Sequence, residues 1–147
     1  IDVKLFDFSI YDPFYSKDHT NIKKVFKIKF FTEKSNLKFK KFDVINFGSS
    51  LQYIENINKL NDTINFESVK TIIITHTPIT LSKEYESKQK NHKSLIQNVH
   101  SLNNIEKYFN KIGFKLVFKS RNDDKYIACE KKQRKTYSLN LIFIKKK

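Results

Sequence analysis

Residues able to do chemistry gather in two short stretches of this chain, Gly48-Ser49-Ser50-Leu51-Gln52-Tyr53 and Thr75-His76-Thr77-Pro78. The first closes an apolar run, Asp43 to Phe47, after which apolar residues resume at a different spacing. Gly48 permits a tight turn or the close approach of another group. Ser49 and Gln52 have the spacing of a capping box, in which the hydroxyl and the amide each satisfy a free backbone N–H at a helix start. The same residues equally make an ordinary strand-to-helix connection. His76 follows a second apolar run, and an imidazole there could accept a proton from a substrate hydroxyl or amine. More often a histidine so placed is only hydrogen-bonded structure. His19, His76, His92 and His100 lack the spacing of a zinc site, and Cys129 is the only cysteine. No metal and no internal disulfide are therefore expected.

Elements must hold these stretches in place. Asp43 to Phe47 and Val69 to Thr75 are short, nearly continuous runs rich in Val and Ile, as expected of strands covered on both faces. Ile54, Ile57, Leu60 and Ile64 recur at three- and four-residue steps, which predicts an amphipathic helix. Ser101 can cap a second helix with the stripe Leu102, Ile105, Phe109 and Ile112, and Gly113 can supply its left-handed end. Phe26, Ile28 and Phe30 alternate with Lys27 and Lys29, the pattern of an edge strand with one solvated face. Ile1 to Ser9, Phe114 to Ser120 and Tyr137 to Ile144 read as further strands.

From Phe26 the order is strand, strand, helix, strand, helix, strand, strand. That alternation predicts an α/β fold with a mostly parallel sheet and an antiparallel strand in the closing pair. Ligands of such sheets bind beyond the strand C-termini, where Gly48 and His76 fall. The polar segment Ile79 to His100 predicts a long loop, of the kind that forms lids or substrate walls.

The 147 residues suit one domain spanning 1–147. No apolar run is long enough to cross a bilayer and the start lacks the pattern of a signal peptide, so a cytoplasmic protein is expected. The net charge of +14 is compatible with a basic nucleic-acid-binding domain. Against that, lysines are spread along the whole chain, and Lys, Asn, Ile, Phe and Tyr share AT-rich codons. Compositional drift accounts for the charge, and nucleic acid is not the favoured partner. Nothing in the pattern fixes the oligomeric state.

The segment FDVINFGSSLQYIENINKL, followed by VKTIIITHTPI, resembles the fourth and fifth strands of class I S-adenosylmethionine-dependent methyltransferases. Within that class it is most similar to a family with a Ser-Leu-Gln-Tyr-Ile/Leu motif after strand four. The matching residues here are Ser50-Leu51-Gln52-Tyr53-Ile54 and Thr77-Pro78. Ser101 to Phe118 also resembles the helix and sixth strand of that class, so the likeness runs from Phe42 to Ser120.

The resemblance implies a Rossmann-like sheet in which Val3 to Phe6 is strand two and Phe26 to Phe31 strand three. Val44 to Phe47, Val69 to Thr75, Phe114 to Ser120 and Tyr137 to Ile144 would be strands four to seven. The first strand and its Gly-rich loop have no counterpart, since the only glycines are Gly48 and Gly113. The likeness is thus to the C-terminal part of a methyltransferase. It implies S-adenosylmethionine as cofactor, with Gly48, Ser49, Ser50, Leu51, Gln52 and Tyr53 lining its pocket. Asp7 would hold the ribose hydroxyls, although it also reads as a turn residue. His76, by its place just past a buried strand and not by the resemblance, is the candidate catalytic base. The implied reaction is methyl transfer to a small-molecule or glycan acceptor, in the setting of surface-polysaccharide biosynthesis. The alternative is a truncated, non-catalytic remnant or subunit.

Overall fold

The computed structural model describes residues 7–11, 28–33, 35–89, 92–122 and 136–147. Along them run β1 (Phe8–Tyr11), β2 (Ile28–Phe31), α1 (Ser35–Lys38), β3 (Val44–Gly48), α2 (Leu60–Thr63), β4 (Thr71–Thr80), β5 (Tyr85–Gln89), β6 (His92–Ser101), α3 (Leu102–Lys111), β7 (Phe114–Asn122) and β8 (Thr136–Lys145). Two 3-10 turns, Leu51–Tyr53 and Ile57–Lys59, lie between β3 and α2. The chain divides into two compact units, Ile1–Lys40 with Asn61–Asn65, and Lys41–Leu60 with Phe66–Lys147.

In the first unit β1 and β2 form a parallel pair, from Phe8 opposite Ile28 to Tyr11 opposite Phe31. Lys29 Nζ lies 2.7 Å from Asp7 Oδ2, with both side chains more than half exposed. Solvent screening leaves such a pair worth little to stability. The predicted strand Val3 to Phe6 lies outside the described residues, as do Phe26 and Lys27 of the next.

The second unit holds a six-stranded sheet with β5-β6-β4-β8-β7 in order and β3 joined to β4. It is mixed, where the sequence pattern predicts a mostly parallel sheet. Among the described residues β3–β4 and β4–β6 are parallel, whereas β4–β8, β7–β8 and β5–β6 are antiparallel. The expected loop Ile79 to His100 is the source of the difference. It extends β4 to Thr80 and then forms the β5–β6 hairpin. No apolar alternation announces that hairpin, because Leu95 and Ile96 are exposed while Gln97 and His100 are buried.

β4 organises this sheet. β8 pairs with it from Thr71–Ile144 to Thr80–Thr136 and so occupies one whole edge. The other edge is divided between β3, which pairs with Thr71 to Thr75, and β6, which pairs with Ile79 and Thr80. Pro78, which has no N–H to give a neighbouring strand, falls in the interval between them. Where β3 and β4 begin, Lys70 N and Thr71 N both donate to Asp43 O, at 2.8 and 3.2 Å. The carboxylate of Asp43 hydrogen-bonds Lys70 Nζ at 2.7 Å and raises the ammonium pKa above its ordinary value, first through that bond and then through its charge.

The helix marked out by Ser101 and Gly113 forms as predicted. Ser101 Oγ accepts from Asn104 N at 3.1 Å, and Gly113 adopts φ 90°. The stripe of α3 buries Leu102, Ile105, Tyr108 and Phe109. The Phe109 ring lies 4.9 Å from that of Phe143 and 6.3 to 6.5 Å from those of Phe66 and Phe114. Ring pairs of this geometry contribute about 0.5–1.5 kcal/mol each beyond the area they bury.

The helix predicted over Ile54 to Ile64 is broken. Ile54 is extended (φ −94°, ψ 114°), and Asn56 restarts the chain with its side chain accepting from Asn58 N. Ile57, Leu60 and Ile64 still reach buried positions, through a 3-10 turn and the single turn of α2. Three- and four-residue spacing is satisfied by consecutive short turns as well as by one helix.

Candidate functional site

β3 ends at Gly48, opposite Thr75 of β4. Gly48 does not make the turn that follows. A Cβ added there would meet Thr75 Oγ1 at 3.6 Å, an ordinary contact. Ser49 makes the turn, in the left-handed region at φ 51°, with its N–H donating to Thr75 O at 2.9 Å. The residue after Thr75 does the same on the neighbouring strand: His76 has φ 50°. Two adjacent parallel strands therefore carry left-handed residues at the same level. A non-glycine residue in this region costs about 1–2 kcal/mol, and such strain persists where the surroundings impose it.

At His76 those surroundings are visible. It sits in the irregularity between Ile74 and Thr77 in the pairing with β8. Its N–H donates to Asn140 Oδ1 at 3.0 Å, and Asn140 Nδ2 donates to Ser120 Oγ at 3.4 Å. The His76 side chain is exposed, as are Gly48, Ser49 and Ser50. This is also the interval in which the edge of β4 passes from β3 to β6.

The Leu51–Tyr53 turn bridges from β3 to β6. His100 Nε2 lies 3.3 Å from Leu51 O, and Asn98 Nδ2 donates to Gln52 O at 3.3 Å. The turn is not opened by a capping box, because Ser50 makes no side-chain cap bond and Ser49 is committed to the corner. Leu51 is fully buried and Gln52 nearly so, with Gln52 Oε1 lacking a partner among the described residues, while Tyr53 is 50 % exposed. Of the six residues expected to line a cofactor pocket, Gly48, Ser49, Ser50 and Tyr53 thus present accessible surface. Leu51 and Gln52 turn inward. Asp7 lies in the first unit, exposed and paired with Lys29.

His100 escaped sequence reasoning, which assigned it to a lid. It is 2 % exposed, with Nδ1 3.6 Å from Glu84 Oε1. A carbonyl only accepts, so Nε2 carries the hydrogen directed at Leu51 O, and Nδ1 faces the carboxylate. Glu84 Oε1 also accepts from Ser101 N at 3.0 Å. The available signal was its position, one residue before the N-cap of α3.

These elements define an α/β fold with a mixed sheet and few helices, of the kind seen in S-adenosylmethionine-dependent methyltransferases. No protein-family profile and no curated protein sequence matches the chain. Among solved structures it is similar to 1,6-didemethyltoxoflavin-N1-methyltransferase of Burkholderia thailandensis, whose structure holds 1,6-didemethyltoxoflavin and S-adenosylhomocysteine. The TM-score is 0.60 at 10 % identity, over 95 % of this chain and 61 % of that one. At this identity the likeness is one of fold, and the chain spans about 61 % of the length of the enzyme it matches.

Proposed function

We infer that this chain catalyses S-adenosylmethionine-dependent methyl transfer to a small molecule. The observation carrying the reading is the pair of left-handed residues, Ser49 and His76, at the C-terminal end of the parallel β3–β4 pairing. In α/β sheets ligands settle in the crevice outside the strand C-termini, where neighbouring connections part. The edge of β4 changes partners at this level.

The residues suit an adenosyl ligand. Gly48, Ser49 and Ser50 are small and exposed, no atom crowds a Cβ at Gly48, and half-exposed Tyr53 follows in the same turn, its N–H donating to Ser50 O at 3.0 Å. When bound, the cofactor supplies an electrophilic methyl group on sulfonium sulfur. The backbone of Gly48 to Ser50 lets the ligand approach closely, and Tyr53 offers it an apolar face. His76, held by Asn140, accepts the proton that an acceptor hydroxyl or amine gives up. Asp7 is assigned to the ribose hydroxyls, and a glycan acceptor in surface-polysaccharide biosynthesis to the substrate, by resemblance alone.

A second reading is a non-catalytic subunit or remnant. Among the described residues β3 pairs only with β4, which favours it. Calorimetric titration with S-adenosylhomocysteine separates the two. Saturable heat at one site per chain supports the methyltransferase reading. Silence on protein with a cooperative thermal transition overturns it in favour of the subunit.

A further inference from the structure

Residues paired across neighbouring strands point to the same side of a sheet, and the next residue along each strand points to the other side. The register of β3, β4, β8 and β7 therefore sorts their side chains onto two faces. On one face Ile72 and Ile74 of β4 pair with Phe143 and Leu141 of β8, and none of the four is exposed. α3 covers that face, with Phe109 against Phe143. On the other face Val44, Thr71, Ile144 and Lys115 form one row across the four strands. Asn46, Ile73, Ile142 and Phe118 form the next. Here Val44 is 51 % exposed, Phe118 48 % and Ile144 46 %, and Ile73 and Ile142 are partly exposed.

The composition of this open face is not that of a surface made for water. A sheet with one solvated face alternates apolar and polar residues. Ile72-Ile73-Ile74 and Leu141-Ile142-Phe143-Ile144 are instead apolar without interruption. Charged residues make up 30 % of the chain, yet the two rows hold only Lys115, which stands on the edge strand β7. Farther along lie Gly48 opposite Thr75 and Asn140 opposite Ser120, small or polar residues that end the apolar area. An apolar centre with a polar rim is the anatomy of a protein interface.

Charge selects the occupant. Two copies of a chain carrying +14 repel, so they can meet only through a surface nearly free of cations, and the two rows provide one. A face with one peripheral charge offers a foreign partner little electrostatic pattern to recognise. Two sheet faces pack about 10 Å apart with interdigitated side chains, and a twofold axis uses the same patch on both copies. We propose that two copies of this chain associate face to face through Val44, Ile73, Ile142, Ile144 and Phe118. The patch spans roughly 20 Å across four strands and about 17 Å along the length of β3. That is less than the ~800 Å² each partner buries in a standard interface, so the dimer is reversible and concentration-dependent. The association does not depend on the methyltransferase reading.

The test is sedimentation equilibrium of the whole chain from micromolar to near-millimolar concentration. A monomer–dimer equilibrium is expected, strengthened by ammonium sulfate, which screens the repulsion between basic copies and favours apolar contact. Ile144→Lys and Phe118→Lys each place a cation on the face and weaken the dimer by about tenfold or more. Leu95→Lys adds the same charge at an exposed apolar residue of β6, which contributes to neither row, and leaves the equilibrium unchanged. All three sites are about half exposed, and thermal transitions verify that each variant folds. A chain that stays monomeric at every concentration and salt overturns the proposal. If that monomer also co-sediments with anionic vesicles, the face meets lipid instead of a second copy. Association that the salt weakens overturns it too, because diffuse charge then accounts for it. So does a loss in Leu95→Lys equal to that in Ile144→Lys, or no loss in either face variant.

Discussion

Replacing Ser49 by Gly and by Val tests the corner on both stability and binding. At φ 51° a serine carries about 1–2 kcal/mol of conformational cost. Glycine removes that cost but gives back about 0.5–1 kcal/mol in chain entropy. Ser49→Gly is therefore expected to be neutral to about 1 kcal/mol more stable. Valine is β-branched and still less compatible with positive φ, so Ser49→Val loses at least a further 1 kcal/mol or so relative to serine. For a chain of this size about 1 kcal/mol moves Tm by roughly 2–4 °C, and the two variants should differ by about 5 °C. Urea unfolding and differential scanning calorimetry give the stability, and titration with S-adenosylhomocysteine gives the binding. Glycine keeps the Ser49 N–H bond to Thr75 O and is expected to hold affinity within a few-fold. Valine, branching at the exposed face of the corner, weakens it by about tenfold or more. Valine as stable as serine would refute the left-handed geometry. Valine destabilised but binding normally would refute the corner as a wall of the cofactor pocket.

Two further outcomes follow from the packing and the charges. Phe109→Ala removes a fully buried ring from contact with Phe66, Phe114 and Phe143 and should cost about 3–5 kcal/mol, read from the urea midpoint. Lys70 is held above its ordinary value of 10.5 by Asp43. Its solvent-exposed pair makes only a small contribution, which is present below that value and is lost as pH rises through the higher folded value. Stability followed from about pH 9 to 12 should therefore fall slightly more steeply in the native chain than in Asp43→Asn.

Features coded by neighbouring residues were legible in advance. Ser101, the Leu102–Ile105–Phe109 stripe and Gly113 specify α3 because a cap, a face and a terminator all act within a turn or two of chain. The Val- and Ile-rich runs before Gly48 and Thr75 announced parallel strands, but the expected cover on both faces fails for β3, where Phe47 is buried and Val44 is exposed. The helix after Gly48 was misread because spacing alone does not show the break at Ile54 and Asn56. The β5–β6 hairpin was misread as a loop because its buried positions include polar Gln97 and His100.

Of the candidate site, the sequence by itself determined where chemistry could sit: small residues and a histidine following two apolar strands. Only the tertiary structure decided that Ser49, and not Gly48, takes the left-handed conformation, that Leu51 and Gln52 face inward, and that His100 meets Glu84. The physical reason is the same in each case. Strand ends and caps are local energies written in adjacent side chains, whereas the conformation of a corner is imposed by the strands it must join. β4 sets that corner by giving one edge first to β3 and then to β6.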